Sequence, residues 1–321
     1  MAGKAQRLRD PWLAEYRRVM GKASAFVPGH LTGFFQICDE TEDPLKKGSR
    51  GSGFSISRGI HTRVKVSEAD GNFVKISING KVTRAAVVSE NVVSKMVSRY
   101  GKPCGVEVWH EAEIPIGSGF GASGAGALSL ALALNEAMEL RLTRIEAARM
   151  AHVAEIECKT GLGTVLAGLS GGFGVIVKAG GPGIGETLKF KHDPSIKAVC
   201  LHLGPIPTRD ALSNPELRRR INELGGRYVD ELRSDQSVEL FLRLSRSFAE
   251  HVGLITPRIR GILEEADRHG FNCSMAMFGE TVFSLVEEDE SERLASLLEE
   301  AAPGCEVFVD SIDVEGARLL A

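Results

Sequence analysis

The chain has 321 residues, 43% of them hydrophobic and 25% charged, with a net charge of −3, the balance of one large or two smaller globular domains. So even a charge excludes a global attraction to nucleic acid or to an anionic membrane surface, and nowhere do roughly 18 apolar residues run together as a membrane span requires. Cys38, Cys104, Cys158, Cys200, Cys273 and Cys305 form no CxxC pair and no zinc-spaced cluster with histidine, as expected of reduced thiols in an intracellular chain.

Residues 1–20 are charged throughout and lack an apolar export core. They read as an extension, and the protein as cytoplasmic. Ala23–Val27 predicts a short strand, broken at Pro28-Gly29. The polar, glycine-rich stretch from His30 to Phe54 predicts a long functional loop. His61–Ser67 and Asn72–Ile78 alternate at period two and predict paired strands, with Asn79-Gly80 as a hairpin signal. A helix is expected over 85–100 and a strand over Val106–Ile114.

After a glycine stretch, residues 127–138 predict a buried helix. A second helix follows, opened by Thr143 and Glu146 at capping-box spacing. Leu162–Gly172 reads as a turn-rich return, Phe173–Ala179 as a strand, and Gly180–Glu186 as a domain hinge. The second half predicts a strand over Lys197–Leu203 and helices near 215–233, 237–251 and 256–269. Two strands, a helix near 289–302 and a last strand from Cys305 follow. This is the split αβ order of a ferredoxin-like domain. The helix over 237–251 suits either core or a dimer surface.

Pro115–Ala127, "PIGSGFGASGAGA", holds five glycines between a strand pattern and an apolar helix pattern. Glycines let a backbone bend into an anion-binding nest, and a helix N-terminus adds free amides and a favourable dipole. Phosphate is the ligand matched to that arrangement. Ser123 stands where its hydroxyl can reach a phosphate or a magnesium ion. The stretch lacks the GK[ST] of a Walker loop, and no acidic residue ends a second strand as a dinucleotide fold requires.

These residues resemble the GHMP kinases, which phosphorylate small-molecule hydroxyls with ATP. The family's second motif, Pro-x-x-x-Gly-Leu-Gly-Ser-Ser-Ala, stands here as "PIGSGFGASGAGA", with Phe120 for Leu and Ala122-Ser123-Gly124 for Ser-Ser-Ala. The first, Ala-Pro-Gly-Lys, stands as "FVPGH", with His30 in the lysine position. The third is reduced to "SMAMFGETVF", with Gly279 as its one glycine. The resemblance runs from about Ala25 to the C-terminus. It implies an α+β fold: a ribosomal protein S5 domain 2-like ATP-binding domain over 21–185, and a ferredoxin-like domain over 186–321. "EDPLKKGSRGSGF", "TGLGTVLAGLSGGF" and "LGPIPTRDAL" are most similar to the archaeal branch that phosphorylates pantoate to 4-phosphopantoate, a step towards coenzyme A. Another kinase of the family, acting on homoserine, mevalonate or a sugar, and a non-catalytic nucleotide-binding protein are the alternatives.

The resemblance implies ATP and Mg2+ as cofactors, a small hydroxy acid as substrate, and neither nucleic acid nor membrane as partner. Pro115, Gly117, Ser118, Gly119, Gly121, Ala122, Ser123 and Gly124 are expected to hold the nucleotide phosphates. Ser123 and a carboxylate on the following helix, Glu155 ahead of Glu157, are expected to hold magnesium. Thr164 stands where many members carry an aspartate base, and His30 is expected at the reacting hydroxyl. Arg209 is first choice for the substrate carboxylate, in competition with Arg50, Arg58 and Lys159, with Ser49, Ser52 and Gly53 lining the pocket.

Overall fold

The computed structural model describes residues 18–206 and 213–321. The chain begins with two very long strands, β1 (Val19–Cys38) and β2 (Gly48–Glu68). The long loop expected after Pro28 is therefore strand on both sides of a short turn. Leu31, Phe34, Phe35 and Ile37 are buried, so this half of β1 is core despite its polar and glycine-rich neighbours. Pro28 does not break the strand, because the β1–β2 register shifts between Pro28 and Gly29, and such an irregularity accommodates a residue without an N–H.

β3 (Phe73–Ile78) turns at Asn79-Gly80 into β4 (Lys81–Thr83), as the hairpin signal predicts. It does not pair with β2, however. β5 (Cys104–Ala112) lies between them, antiparallel to β2 and parallel to β3. The helix α1 (Val87–Tyr100) connects β4 to β5. With β12 (Arg318–Leu320) at one edge, the sheet runs β12-β1-β2-β5-β3-β4, and β6 (Phe173–Lys178) pairs with residues 51–54 of β2.

α1, α2 (Ala122–Ala137) and α4 (Thr164–Ser170) pack against this sheet, and α3 (Arg144–Cys158) packs on those helices. α2 is buried almost all round, and α3 opens with the expected capping box of Thr143 and Glu146. The expected turn at 162–172 contains the short helix α4. Gly180–Glu186 is a turn within a hairpin rather than a hinge, since β7 (Glu186–Lys189) pairs back on β6.

The second half supplies β8 (Lys197–Pro205), α5 (Pro215–Ser234), α6 (Val238–Val252), α7 (Pro257–Arg268), β9 (Ser274–Met275), β10 (Gly279–Val286), α8 (Glu288–Ala301) and β11 (Glu306–Ser311). The sheet order β11-β8-β10-β9, antiparallel throughout, is the ferredoxin-like arrangement. α6 buries Leu240, Phe241, Leu244 and Phe248, so that run is core. Sheet pairing crosses the expected boundary at 186 twice: through β7, and through β12 (Arg318–Leu320), which returns to pair with β1.

Candidate active site

The glycine stretch carries the chain from β5 into α2. Gly121 is the N-cap of α2 at φ 67°, a left-handed conformation, and no side chain caps the helix. The first amides of α2 thus have no side-chain acceptor, and Ala122, Ser123 and Gly124 line a cavity of about 400 Å3. The loop is held from behind. His30 N–H donates to Phe120 O at 2.9 Å, Ile206 N–H to Gly117 O at 3.1 Å, and Thr281 Oγ1 to Ser118 O at 2.8 Å. Gly279 sits so close that a Cβ there would lie 1.9 Å from the Ser118 carbonyl carbon. The lone glycine of the reduced third motif is therefore the surface on which the loop rests. Phe120 is buried against Phe308, with ring centroids 5.5 Å apart. Pro115 does not line the cavity, whereas Gly117, Ser118, Gly119 and Gly121 do.

Across the cavity, Ser123 Oγ donates to Glu155 Oε1 at 2.5 Å, and Thr160 Oγ1 donates to the same oxygen at 2.6 Å. The αL turn at Lys159 that ends α3 brings Thr160 back beneath Glu155. Glu155 is 2% exposed. Burial pushes its carboxyl above the usual range, and the two hydroxyl donors oppose that only in part. Glu157 points elsewhere, bonding Asn91 Nδ2 and Lys95 Nζ on α1. A buried carboxylate beside a hydroxyl, with no ion pair among the described residues, is a donor set suited to a hard cation.

His30 lines the cavity with Nδ1 3.2 Å from Ser55 Oγ. Burial holds its pKa down to about 4, so it is neutral at pH 7 and cannot stand in for a lysine's charge. Thr164 opens α4 with its methyl against Gly121 and Gly124. Ser49, Ser52 and Gly53 also line the cavity.

Arg50 does not. Its guanidinium turns to the opposite side of β2, where Nε donates to Val177 O at 3.0 Å, Nη1 to Gln36 at 3.2 Å, and Nη2 pairs with Asp230. Arg58 pairs with Asp310 and covers the Phe308 ring, away from the site. Arg209 lies outside the described residues. Among the described residues, the cationic side chain lining the cavity is Lys189 of β7, whose Nζ donates to Val314 O at 3.0 Å. Sequence reasoning missed it because "ETLKF" carries no motif; only the β6–β7 pairing brings it to the cavity. It also missed Met277 and Phe278, which wall the cavity beside the loop, and Ser89 and His110 at its far arm.

Comparison with known proteins adds a second line. The family model "GHMP kinases N terminal domain" matches residues 85–172, and "GHMP kinases C terminal" matches 228–303. A pantoate kinase of Thermococcus kodakarensis is 36% identical over 282 residues, covering 85% of this chain and 91% of that one. A pantoate kinase of Methanocaldococcus jannaschii is 34% identical, covering 85% and 96%. A solved structure described as a phosphotransferase related to the CoA biosynthesis pathway superposes with a TM-score of 0.84 at 32% identity, over 93% of this chain and 98% of that one. A homoserine kinase from Cytophaga hutchinsonii shares the fold, with a TM-score of 0.71 at 16% identity, over 94% and 98%.

Proposed function

The chain belongs to the GHMP kinase family, and from that premise we propose that it transfers the terminal phosphoryl group of ATP to the hydroxyl of pantoate, giving 4-phosphopantoate and ADP. The observation that carries the reading is the oxygen cluster of Ser123, the buried Glu155 and Thr160 at an uncapped, glycine-bounded helix N-terminus. The likeness to the two pantoate kinases supplies the substrate.

Phosphoryl transfer needs positioning and charge neutralisation more than covalent chemistry. The amides of the loop and of the first turn of α2 would hold the phosphates. Ser123 and Glu155 would hold Mg2+, which neutralises charge on the phosphate oxygens when bound. That role also answers the carboxylate's burial. Thr164 has no basic group at neutral pH. His30, neutral and facing the cavity, can hydrogen-bond the substrate hydroxyl without removing its proton early, which a loose transition state does not require. Lys189 is the described cation able to face a substrate carboxylate.

The test is ADP release from magnesium ATP with pantoate, mevalonate, homoserine and galactose supplied separately. Turnover with pantoate alone is the expected result. Turnover with another alcohol would replace the substrate, and silence on all four with ATP still bound would favour a non-catalytic nucleotide-binding role. No helix among the described residues is long and apolar enough to cross a membrane.

A further inference from the structure

The far arm of the cavity ends on residues that phosphoryl transfer leaves unused. His110, on β5, is buried with both ring nitrogens occupied. Nδ1 lies 2.8 Å from Thr62 Oγ1, and Nε2 lies 3.1 Å from Ser89 Oγ. Thr62 Oγ1 is 2.6 Å from Ser129 Oγ, and Ser129 donates to the carbonyl of Gly126 at 3.1 Å. Burial holds the imidazole pKa down to about 4, so the ring is neutral and carries one proton.

Four bonds then join five groups that hold four protons. The Gly126 carbonyl can only accept. Ser129 donates to it, and so accepts from Thr62. Thr62, its proton used, accepts from Nδ1–H. Nε2 is left bare and accepts from Ser89. No other placement makes all four bonds, and burial makes an unmade bond costly.

Ser89 and His110 line the cavity, whereas Thr62 and Ser129 do not. With its proton turned inward, Ser89 Oγ faces the cavity as an acceptor. The walls around it, including Ile78, Ala85, Val87 and Ala112, are apolar. They suit a flat heterocycle better than a hydroxy acid, whose polar groups match His30, Ser49 and Lys189 at the other end. Adenine offers an amino donor at position 6, where a 6-oxo purine offers a carbonyl acceptor.

We propose that the Ser89–His110–Thr62–Ser129 chain is a purine selector. It fixes Ser89 as an acceptor that takes the 6-amino group of adenine and rejects a 6-oxo base by setting acceptor against acceptor. This inference rests on the nucleotide reading above.

Calorimetric titration with magnesium ADP and magnesium IDP, which differ at position 6 and in the hydrogen that the 6-oxo base carries on the adjoining N1, tests it without turnover. The wild-type chain is expected to bind ADP about 10- to 100-fold more tightly than IDP. Ser89→Ala removes the acceptor and brings the two affinities within about threefold. Thr62→Val acts from outside the cavity: without its acceptor the ring proton moves to Nε2, the Ser89 proton turns outward, and the preference collapses likewise. Equal wild-type affinities overturn the selector while leaving the kinase reading intact. So does an undiminished ADP preference in Ser89→Ala, or in a Thr62→Val protein that melts as the wild type does. Failure of the wild type to bind either diphosphate would instead overturn the nucleotide reading.

Discussion

Glu155 is buried against two hydroxyls and, among the described residues, no cation. Ser123→Ala and Glu155→Gln are each expected to lower kcat about 100-fold or more with the fold intact, as measured by ADP release beside a thermal melt. The same carboxyl has a stability consequence of fixed sign. Its folded-state pKa is raised from 4.5, so the folded chain holds the proton more firmly than the unfolded one. The ligand-free protein therefore loses stability as pH climbs from the usual glutamate range through the folded-state value. Glu155→Gln removes that loss, so the inactive variant is expected to melt higher than wild type at pH 7 without nucleotide; an equal or lower melting temperature would contradict the burial argument. Ser123 and Glu155 were paired in the sequence through the family resemblance, and the structure brings their side chains within hydrogen-bonding distance. Arg50 was misread, because residues 30–54 read as a loop, whereas β2 turns Ser49 and Arg50 to opposite faces and only Ser49 lines the cavity. Asp230 pairs with Arg50 on that other face, from a helix 180 residues further on.

At the scale of elements, the glycine loop depends on a strand from the other half of the chain. Gly279→Ala would drive a methyl group into the Ser118 carbonyl and the Gly119 amide, backbone that cannot swing aside. Overpacking of this kind costs about 1–3 kcal/mol, and here it displaces the loop as well. The expected outcome is a lower denaturant midpoint together with weaker ADP binding by calorimetry; loss of stability with unchanged ADP affinity would show that the loop does not rest on Gly279. The helices and the ferredoxin-like strand order were legible, because 3.6-residue periodicity and the capping box are local signals. The inner halves of β1 and β2 were not. Glycines at 33, 51 and 53 and polar neighbours read as loop, yet these glycines admit backbone and ring atoms of the facing strand and helix. That packing requirement has no local sequence signature.

Across the whole molecule one cluster of buried apolar residues runs through both halves. Phe54 meets Phe283 with centroids 5.3 Å apart, Phe173 meets Phe241 at 5.2 Å, and Phe34 meets Tyr228 at 5.8 Å. α5 and α6 pack on β1, and β12 closes back on it. The expectation is a single cooperative unfolding transition, with calorimetric and van't Hoff enthalpies in agreement. Phe241→Ala should lower that one transition by about 3–5 kcal/mol; two resolved transitions, with only the second shifted, would show independent units. A shared core of this kind was not readable from the chain, because each half shows its own complete strand and helix pattern, and only the aromatic contacts between them reveal the joint.

The anchoring of the glycine loop from behind also bears on how a catalytic cycle closes. Its carbonyls are tied to β1 and β10 through His30 and Thr281, so the amide cradle stands ready without a ligand to shape it. On the proposed reading, a cradle that does not rearrange grips a diphosphate much as it grips a triphosphate. Departure of ADP then works against the same donors that drew ATP in, and product inhibition by ADP, competitive with ATP, is built into the scaffold.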